Sequence, residues 1–242
     1  YNSCETFTTD VLFKILIYKS ISIQDKKADF FYWGDKSPSY IEEIKLLKHI
    51  YPNAKLIHIV RDVRDNVLSI NKAWNKNIYR AASKWNYSIS NFFFKSKDFS
   101  NNLYIIKYES LISNPRNSIE QLLNFLDLEI IDNFEENIKF SESVGDAKGL
   151  NRILNKNTGK YFNFLNDKKI KKLEEISYNS LTRLNYDIHF ANKQKNLNKF
   201  LLFIYYISDV INLFIFSVKK YGIIKGLYIK INNIQSKINK IV

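Results

Sequence analysis

Apolar positions along this chain follow two rhythms, a helical spacing and short unbroken runs, and the two alternate. Phe7 to Tyr18 carries apolar residues at helical spacing, and Phe30 to Trp33 reads as a short strand leading into a turn at Gly34-Asp35-Lys36. Pro38 suits a helix's first turn and Ser37 suits its cap, so a helix is expected through Ile50, ended by Pro52-Asn53. In the next strand, Lys55 to Val60, the residues Ile57, Ile59 and Val60 suit a buried parallel strand. Asp62 and Asp65 are natural caps for the helix through Val67, Leu68 and Ile70. A long aromatic-rich helix, Ile78 to about Lys97, contains Trp85, read as a core residue. Leu103 to Lys107 is another strand, closed by Tyr108 and Glu109; Asn114-Pro115 is a turn and Ser118 to Leu126 a further helix. Strands separated by helices imply βαβ crossovers, and so an α/β fold with a parallel sheet flanked by helices on both faces.

The pattern changes beyond about residue 190. Phe200 to Val218 is a long apolar run flanked by Lys195, Lys199, Lys219 and Lys220. Its length approaches a membrane span, but Asp209 and Asn212 sit near its centre, where a charge costs about 3 kcal/mol in a bilayer. Two readings stand. One is an interfacial helix whose basic tail, through Lys225, Lys230, Lys237 and Lys240, rests on anionic lipid or an acidic glycan. The other is a helix buried on the domain or in a homodimer. The organisation expected is an α/β domain over 1–190 and a hydrophobic, basic helical extension over 191–242.

Charge narrows the partners. The 242 residues carry 37 basic and 24 acidic side chains, a net charge of +13, with 45% hydrophobic residues. That length and composition suit one well-cored domain, and the excess charge suits a polyanionic ligand or an anionic surface. The lysines are scattered rather than gathered into a basic arm, so no nucleic-acid partner is expected. Cys4 is alone, which leaves no internal disulfide and favours a reducing cytoplasm, with a peripheral membrane position as the variant of that reading. His49, His58 and His189 lack carboxylate partners at ligand spacing, so no metal is expected. Neither a nucleophile elbow nor a Walker-type loop is present, which argues against hydrolase and kinase chemistry.

The candidate chemistry begins at Arg61, at the carboxyl end of its strand, where open α/β sheets bind ligands. Ser69 lies eight positions on, within the following helix, and its hydroxyl reaches toward the same anion; a guanidinium gives phosphate paired, charge-assisted hydrogen bonds. Arg64 is expected to pair with Asp62, Asp65 or a neighbouring carboxylate, and Glu109 to be a buried acceptor. Lys36 sits directly before a helix N-terminus, which favours an anion. Gly145, Gly149 and Gly159, interleaved with Lys148, Arg152, Lys156 and Lys160, let backbone N–H groups and lysines approach an anion together.

Arg61 and Ser69, with their strand and helix, resemble the segment with which PAPS-dependent sulfotransferases hold the 3′-phosphate of 3′-phosphoadenosine 5′-phosphosulfate (PAPS). Three more segments match in order: Gly34 to Tyr40, Leu103 to Leu111, and Asp146 to Arg152 continuing through Thr158-Gly159-Lys160. The resemblance covers about residues 30–185 and is nearest the carbohydrate and protein branch, including bacterial members. It implies a P-loop-NTPase-like parallel sheet, PAPS as co-substrate without a metal, and sulfuryl transfer to a hydroxyl of a glycan, lipid-linked sugar or small metabolite. It implies that Lys36 stabilises the departing phosphate and that Glu5 is the positional candidate for the base, with Asp35 beside Lys36 as the alternative. It implies that Tyr108 walls the nucleotide and that Lys148, Arg152 and Lys160 belong to a loop folded over the 3′-phosphate, with Tyr161 where relatives have tryptophan. It also implies an earlier glycine-rich loop cradling the 5′-phosphosulfate. No such loop with a basic residue occurs here, and Thr6, Thr8 and Thr9 lack glycines. Either that unit precedes Tyr1 or this chain does not bind the cofactor in the family's way. The rival reading is a non-catalytic anion-binding or membrane-surface protein that retains the fold.

Overall fold

The computed structural model of the chain describes residues 34–99, 101–130 and 157–222. The expected Phe7–Tyr18 helix and Phe30–Trp33 strand lie outside them. The chain divides into two compact units, Tyr1–Ala54 and Lys55–Val242.

In the first unit, the single helix expected from Pro38 to Ile50 is two elements. A 3₁₀ turn, Pro38–Ile41, is capped by Ser37, whose hydroxyl accepts from the Ser39 N–H at 3.4 Å, and α1 follows over Ile44–Ile50. Backbone bonds from Glu42 to Ser39 (2.9 Å) and from Glu43 to Tyr40 (3.1 Å) keep the i+3 spacing of the tighter turn. The Tyr40 hydroxyl donates to Asp35, a bond that raises the tyrosine's pKa and braces the turn against the residues before it.

The second unit is built on two parallel strands, β1 (Leu56–Val60) and β2 (Leu103–Lys107), paired from Leu56 opposite Leu103 to Val60 opposite Lys107. The crossover between them contains α2 (Val63–Trp74) and α3 (Ile78–Lys95). Asp62 caps α2 by accepting from the Arg64 N–H at 2.8 Å, and Asn77 caps α3 by accepting from Tyr79 and Arg80. Asp65, expected as a second cap, has another role described below. Two boundaries also differ from expectation. Tyr108 and Glu109 open a short helix, α4 (Tyr108–Ser113), and do not close β2; Asn114-Pro115 starts α5 (Pro115–Leu126) as its cap and first residue.

Beyond residue 156, α6 (Tyr161–Phe164), α7 (Asp167–Arg183) and α8 (Lys199–Tyr221) complete the unit. The main core lies where α2, α3 and α7 meet, with Val63, Val67, Ala82, Leu173 and Leu181 fully buried and Trp85 packed against them, as its position implied. Val60, Ile89 and Leu184 continue this packing under one face of the sheet, where His58 stacks on Phe92 at 4.1 Å. On the opposite face Tyr104 of β2 stacks on Phe125 of α5 at 5.2 Å. Helices therefore lie on both faces of a parallel pair. Burial of β1 is less complete than its apolar run implied: α5 covers β2, and Ile57 and Ile59 remain 38% and 56% exposed.

An ionic cluster joins the helices. Arg64, 1% exposed, gives Nη2 to Asp62 at 2.6 Å and Nη1 to Glu174 of α7 at 2.6 Å. Burial alone would lower the guanidinium's pKa, but the hydrogen bond and charge of Asp62, with Glu174 adding to them, leave it raised. Glu174 also accepts from the backbone N–H groups of His189, Phe190 and Ala191 at 2.8–3.0 Å, so one carboxylate ties α2, α7 and the following loop together.

Glu174→Ala leaves Arg64 Nη1 and three backbone N–H groups without their acceptor, and is expected to lower the unfolding free energy by about 3–5 kcal/mol in urea titrations. A loss below about 1 kcal/mol would show that the cluster does not hold the helices. Acid will act through His58, whose pKa burial lowers from 6.5 to about 4. The folded state keeps this imidazole neutral, so its contribution is full above the unfolded pKa of 6.5 and is lost as pH falls toward 4. His58→Leu should therefore flatten stability over that window, by on the order of 2–3 kcal/mol relative to wild type; parallel pH profiles of the two proteins would contradict this.

Candidate functional site

The site forms at the turn from β1 into α2. Arg61 stands between the last strand residue and the helix cap, so its side chain leaves the carboxyl end of the sheet beside the N-terminus of α2. Ser69 lies in the same helix. Arg61 Nη1 donates to Ser69 Oγ at 3.0 Å, so the two side chains expected to share an anion meet each other across eight positions.

A segment 96 residues away completes the cluster. Arg61 Nη2 donates to the Asn157 carbonyl at 2.7 Å and approaches its side-chain oxygen at 3.4 Å. Asn157 in turn donates from Nδ2 to the Tyr108 hydroxyl at 2.7 Å, and the guanidinium lies over the Tyr108 ring at 4.6 Å. Every partner of Arg61 is thus a neutral oxygen or an aromatic face. Among the described residues no carboxylate pairs with it, and Nε is enclosed without a hydrogen-bond partner. The contrast with Arg64, three residues on, is physical: Arg64 makes ion pairs with two carboxylates, whereas Arg61 makes none among the described residues and meets the charge of Asp65 only through space. A half-buried guanidinium with an unmet donor, beside a hydroxyl, is suited to an anionic oxygen.

Asp65 holds the distant segment in place. Its carboxylate accepts from the N–H groups of Gly159 at 2.6 Å and Tyr161 at 3.0 Å. Desolvation raises its pKa, opposed by those two bonds. Gly159 has φ +68°, which a residue with a side chain adopts only with strain. The ring of Tyr161 then lies under Arg64 at 4.3 Å, and its hydroxyl meets His189 Nε2 at 3.1 Å. The expectation for this loop is therefore corrected in one respect: the backbone N–H of Gly159 is bonded to the protein's own Asp65, and the contact to the Arg61 cluster is made by Asn157.

Of the residues expected in the site, Arg61, Ser69 and Tyr108 are brought together. Lys160 is at the N-terminus of α6, within the same short segment as Asn157. Lys36 is exposed in the first unit, ahead of the 3₁₀ turn. Glu5, Lys148 and Arg152 lie outside the described residues. Glu109 is the structural acceptor expected, taking the Asp62 N–H at 2.9 Å and the Tyr186 hydroxyl at 2.8 Å; burial and that carboxylate raise the Tyr186 pKa. Asn157 was missed by sequence reasoning. Its only signal was its place beside Thr158-Gly159-Lys160, because a lone asparagine has no motif of its own.

Asp65→Ala should release the segment: amide exchange at Gly159 and Tyr161 is expected to accelerate, with a stability loss of about 2 kcal/mol for the two unmet N–H groups. Unchanged protection of both amides would refute the tether.

Comparison with known proteins bears on this geometry. A sulfotransferase domain from the curacin biosynthetic pathway has a similar structure, with a TM-score of 0.54 and 21% sequence identity over 64% of this chain and 62% of that one. At that identity the likeness is one of fold, and the chain matches less than two thirds of the other domain. No curated protein matches the sequence significantly. The sequence profile described as "Sulfotransferase family" matches residues 3–132, more than half of the chain and inclusive of β1, α2, α3 and β2. The protein belongs to the sulfotransferase family.

Proposed function

We propose that this protein transfers a sulfuryl group from PAPS to a hydroxyl of a glycan, lipid-linked sugar or small metabolite. Family membership supports sulfuryl transfer in general; the donor and the residue roles rest on the guanidinium of Arg61, which leaves the end of β1, is bonded to Ser69 and has no ion-pair partner among the described residues. In this reading Arg61 and Ser69 hold the 3′-phosphate, Tyr108 walls the nucleotide, and Asn157 moves from Arg61 to accommodate the anion. Lys148, Arg152 and Lys160 supply charge along the covering loop.

The reaction forms an O–S bond at the acceptor hydroxyl and breaks the bond from sulfur to the bridging oxygen of the phosphosulfate, leaving 3′,5′-adenosine bisphosphate. Lys36 is assigned to the charge that develops on that oxygen, and Glu5 to the acceptor's proton. A loose, in-line transfer of this kind depends mainly on positioning and charge, which is what a fixed guanidinium supplies. The net charge of +13 supports a polyanionic ligand, and a cytoplasmic location belongs to the same reading.

Calorimetric titration with 3′,5′-adenosine bisphosphate tests the donor site. Arg61→Ala removes charge-assisted hydrogen bonds of about 1.5–3 kcal/mol, so affinity should fall about tenfold to a hundredfold; Ser69→Ala should cost roughly threefold to tenfold. Equal affinity of wild type and Arg61→Ala, or no binding by the folded wild type, would overturn the assignment.

A further inference from the structure

Helix α8 presents its amphipathic faces in reverse. Asp209, in the middle of its apolar run, is 2% exposed and faces the domain: its carboxylate accepts from the Asn77 N–H at 2.6 Å and pairs with Arg80 at 2.7 Å. One turn on, Asn212 donates to the Asn75 carbonyl at 2.9 Å. These bonds join α8 to the residues between α2 and α3, and Leu201, Leu202 and Tyr205 pack beside them on the main core. The opposite side is apolar and open. Phe200, Phe203, Ile204, Ile207, Ile211 and Ile215 follow the spacing of one helical stripe and are 42–71% exposed. Only 6% of the helix's most apolar window is buried, although its length and hydropathy would suit a membrane span.

Three observations identify what covers this stripe. First, a span through the bilayer would carry Asp209, Arg80 and the cap of α3 into hydrocarbon, since they are bonded to the helix's midpoint. Second, 23 residues make a helix about 35 Å long, and a stripe about 10 Å wide offers on the order of 350 Å² per chain. A symmetric pair would bury about 700 Å² through it, short of the roughly 1,200 Å² of a stable interface. Third, Lys199 and Lys219 are exposed at the two ends, and from Lys199 to Val242 the sequence has seven lysines against Asp209 alone, which is already paired. An apolar stripe bounded by cations is complementary to an anionic bilayer surface.

We propose that α8 is a lipid-docking helix, lying in the plane of an anionic membrane surface with the folded domain on its polar side and Asp209 as the key that sets its rotation. This places the lipid-facing helix at the C-terminal end of α2, six residues or about 9 Å along the helix from Ser69 of the candidate anion site.

Co-sedimentation of the full chain with phosphatidylcholine vesicles, with and without phosphatidylserine, tests the proposal. Binding should be about tenfold or more tighter on the anionic vesicles and weaken with salt. The double variant Phe203→Glu/Ile207→Glu should reduce it by on the order of a hundredfold, with an unchanged thermal melt because both side chains are exposed. Absence of sedimentation with anionic vesicles would overturn the proposal. So would a stable dimer in light scattering that the same double variant dissociates, since the stripe would then belong to a second copy.

Discussion

The fold depends on a buried guanidinium. Arg64 reaches into the interior from the first turn of α2 and meets Asp62 beside it and Glu174 from α7, while Tyr161 packs on its face. Ions removed from water are stable only when paired and hydrogen-bonded, and here each one is. Asp62 also caps α2 and donates its own backbone N–H to Glu109; Glu174 closes three N–H groups of the loop after α7. The cluster thus fixes the position of α2 relative to α7 and to the start of α4. Apolar packing of Val63, Val67 and Leu173 supplies most of the favourable burial, but it is not directional. The ion cluster supplies direction.

That direction determines the site. Residues 61 to 65 place alternating charges at one strand end, and the tertiary structure divides them: Arg64 is paired with carboxylates, Asp65 is occupied by the Gly159 and Tyr161 amides, and Arg61 makes no ion pair among the described residues. The segment held by Asp65 presents Asn157 to Arg61 and Tyr108. In the proposed reading, a guanidinium held on α2 by Ser69 and a tethered loop form the anion site before any ligand arrives, as positional catalysis requires.

The same division of polar and apolar contacts governs α8. Its few polar residues would disfavour it as a membrane helix if they faced lipid, but they are satisfied by the domain at Asn75, Asn77 and Arg80. The apolar residues are left outward. Ile57 and Ile59 are exposed for a simpler reason, since α5 covers the neighbouring strand.

Much of this was legible before any coordinates. Apolar rhythm marked β1, β2, α3 and the apolar run of α8, because burial demands a period that matches backbone geometry. The Arg61–Ser69 spacing was readable for the same reason: strand end and helix turn are local, and eight positions fix the reach between them. The split of the Pro38–Ile50 helix and the helical start at Tyr108 were not, since short-range propensities there are nearly balanced. Nor were Asn157 and the donors to Asp65 and Asp209, which lie 94 to 132 residues away from those carboxylates. Which carboxylates took Arg64, which arginine was left without an ion pair among the described residues and which way α8 turned its charged residue depended on long-range contacts. A sequence lists the charges; only the folded chain decides which of them neutralise one another.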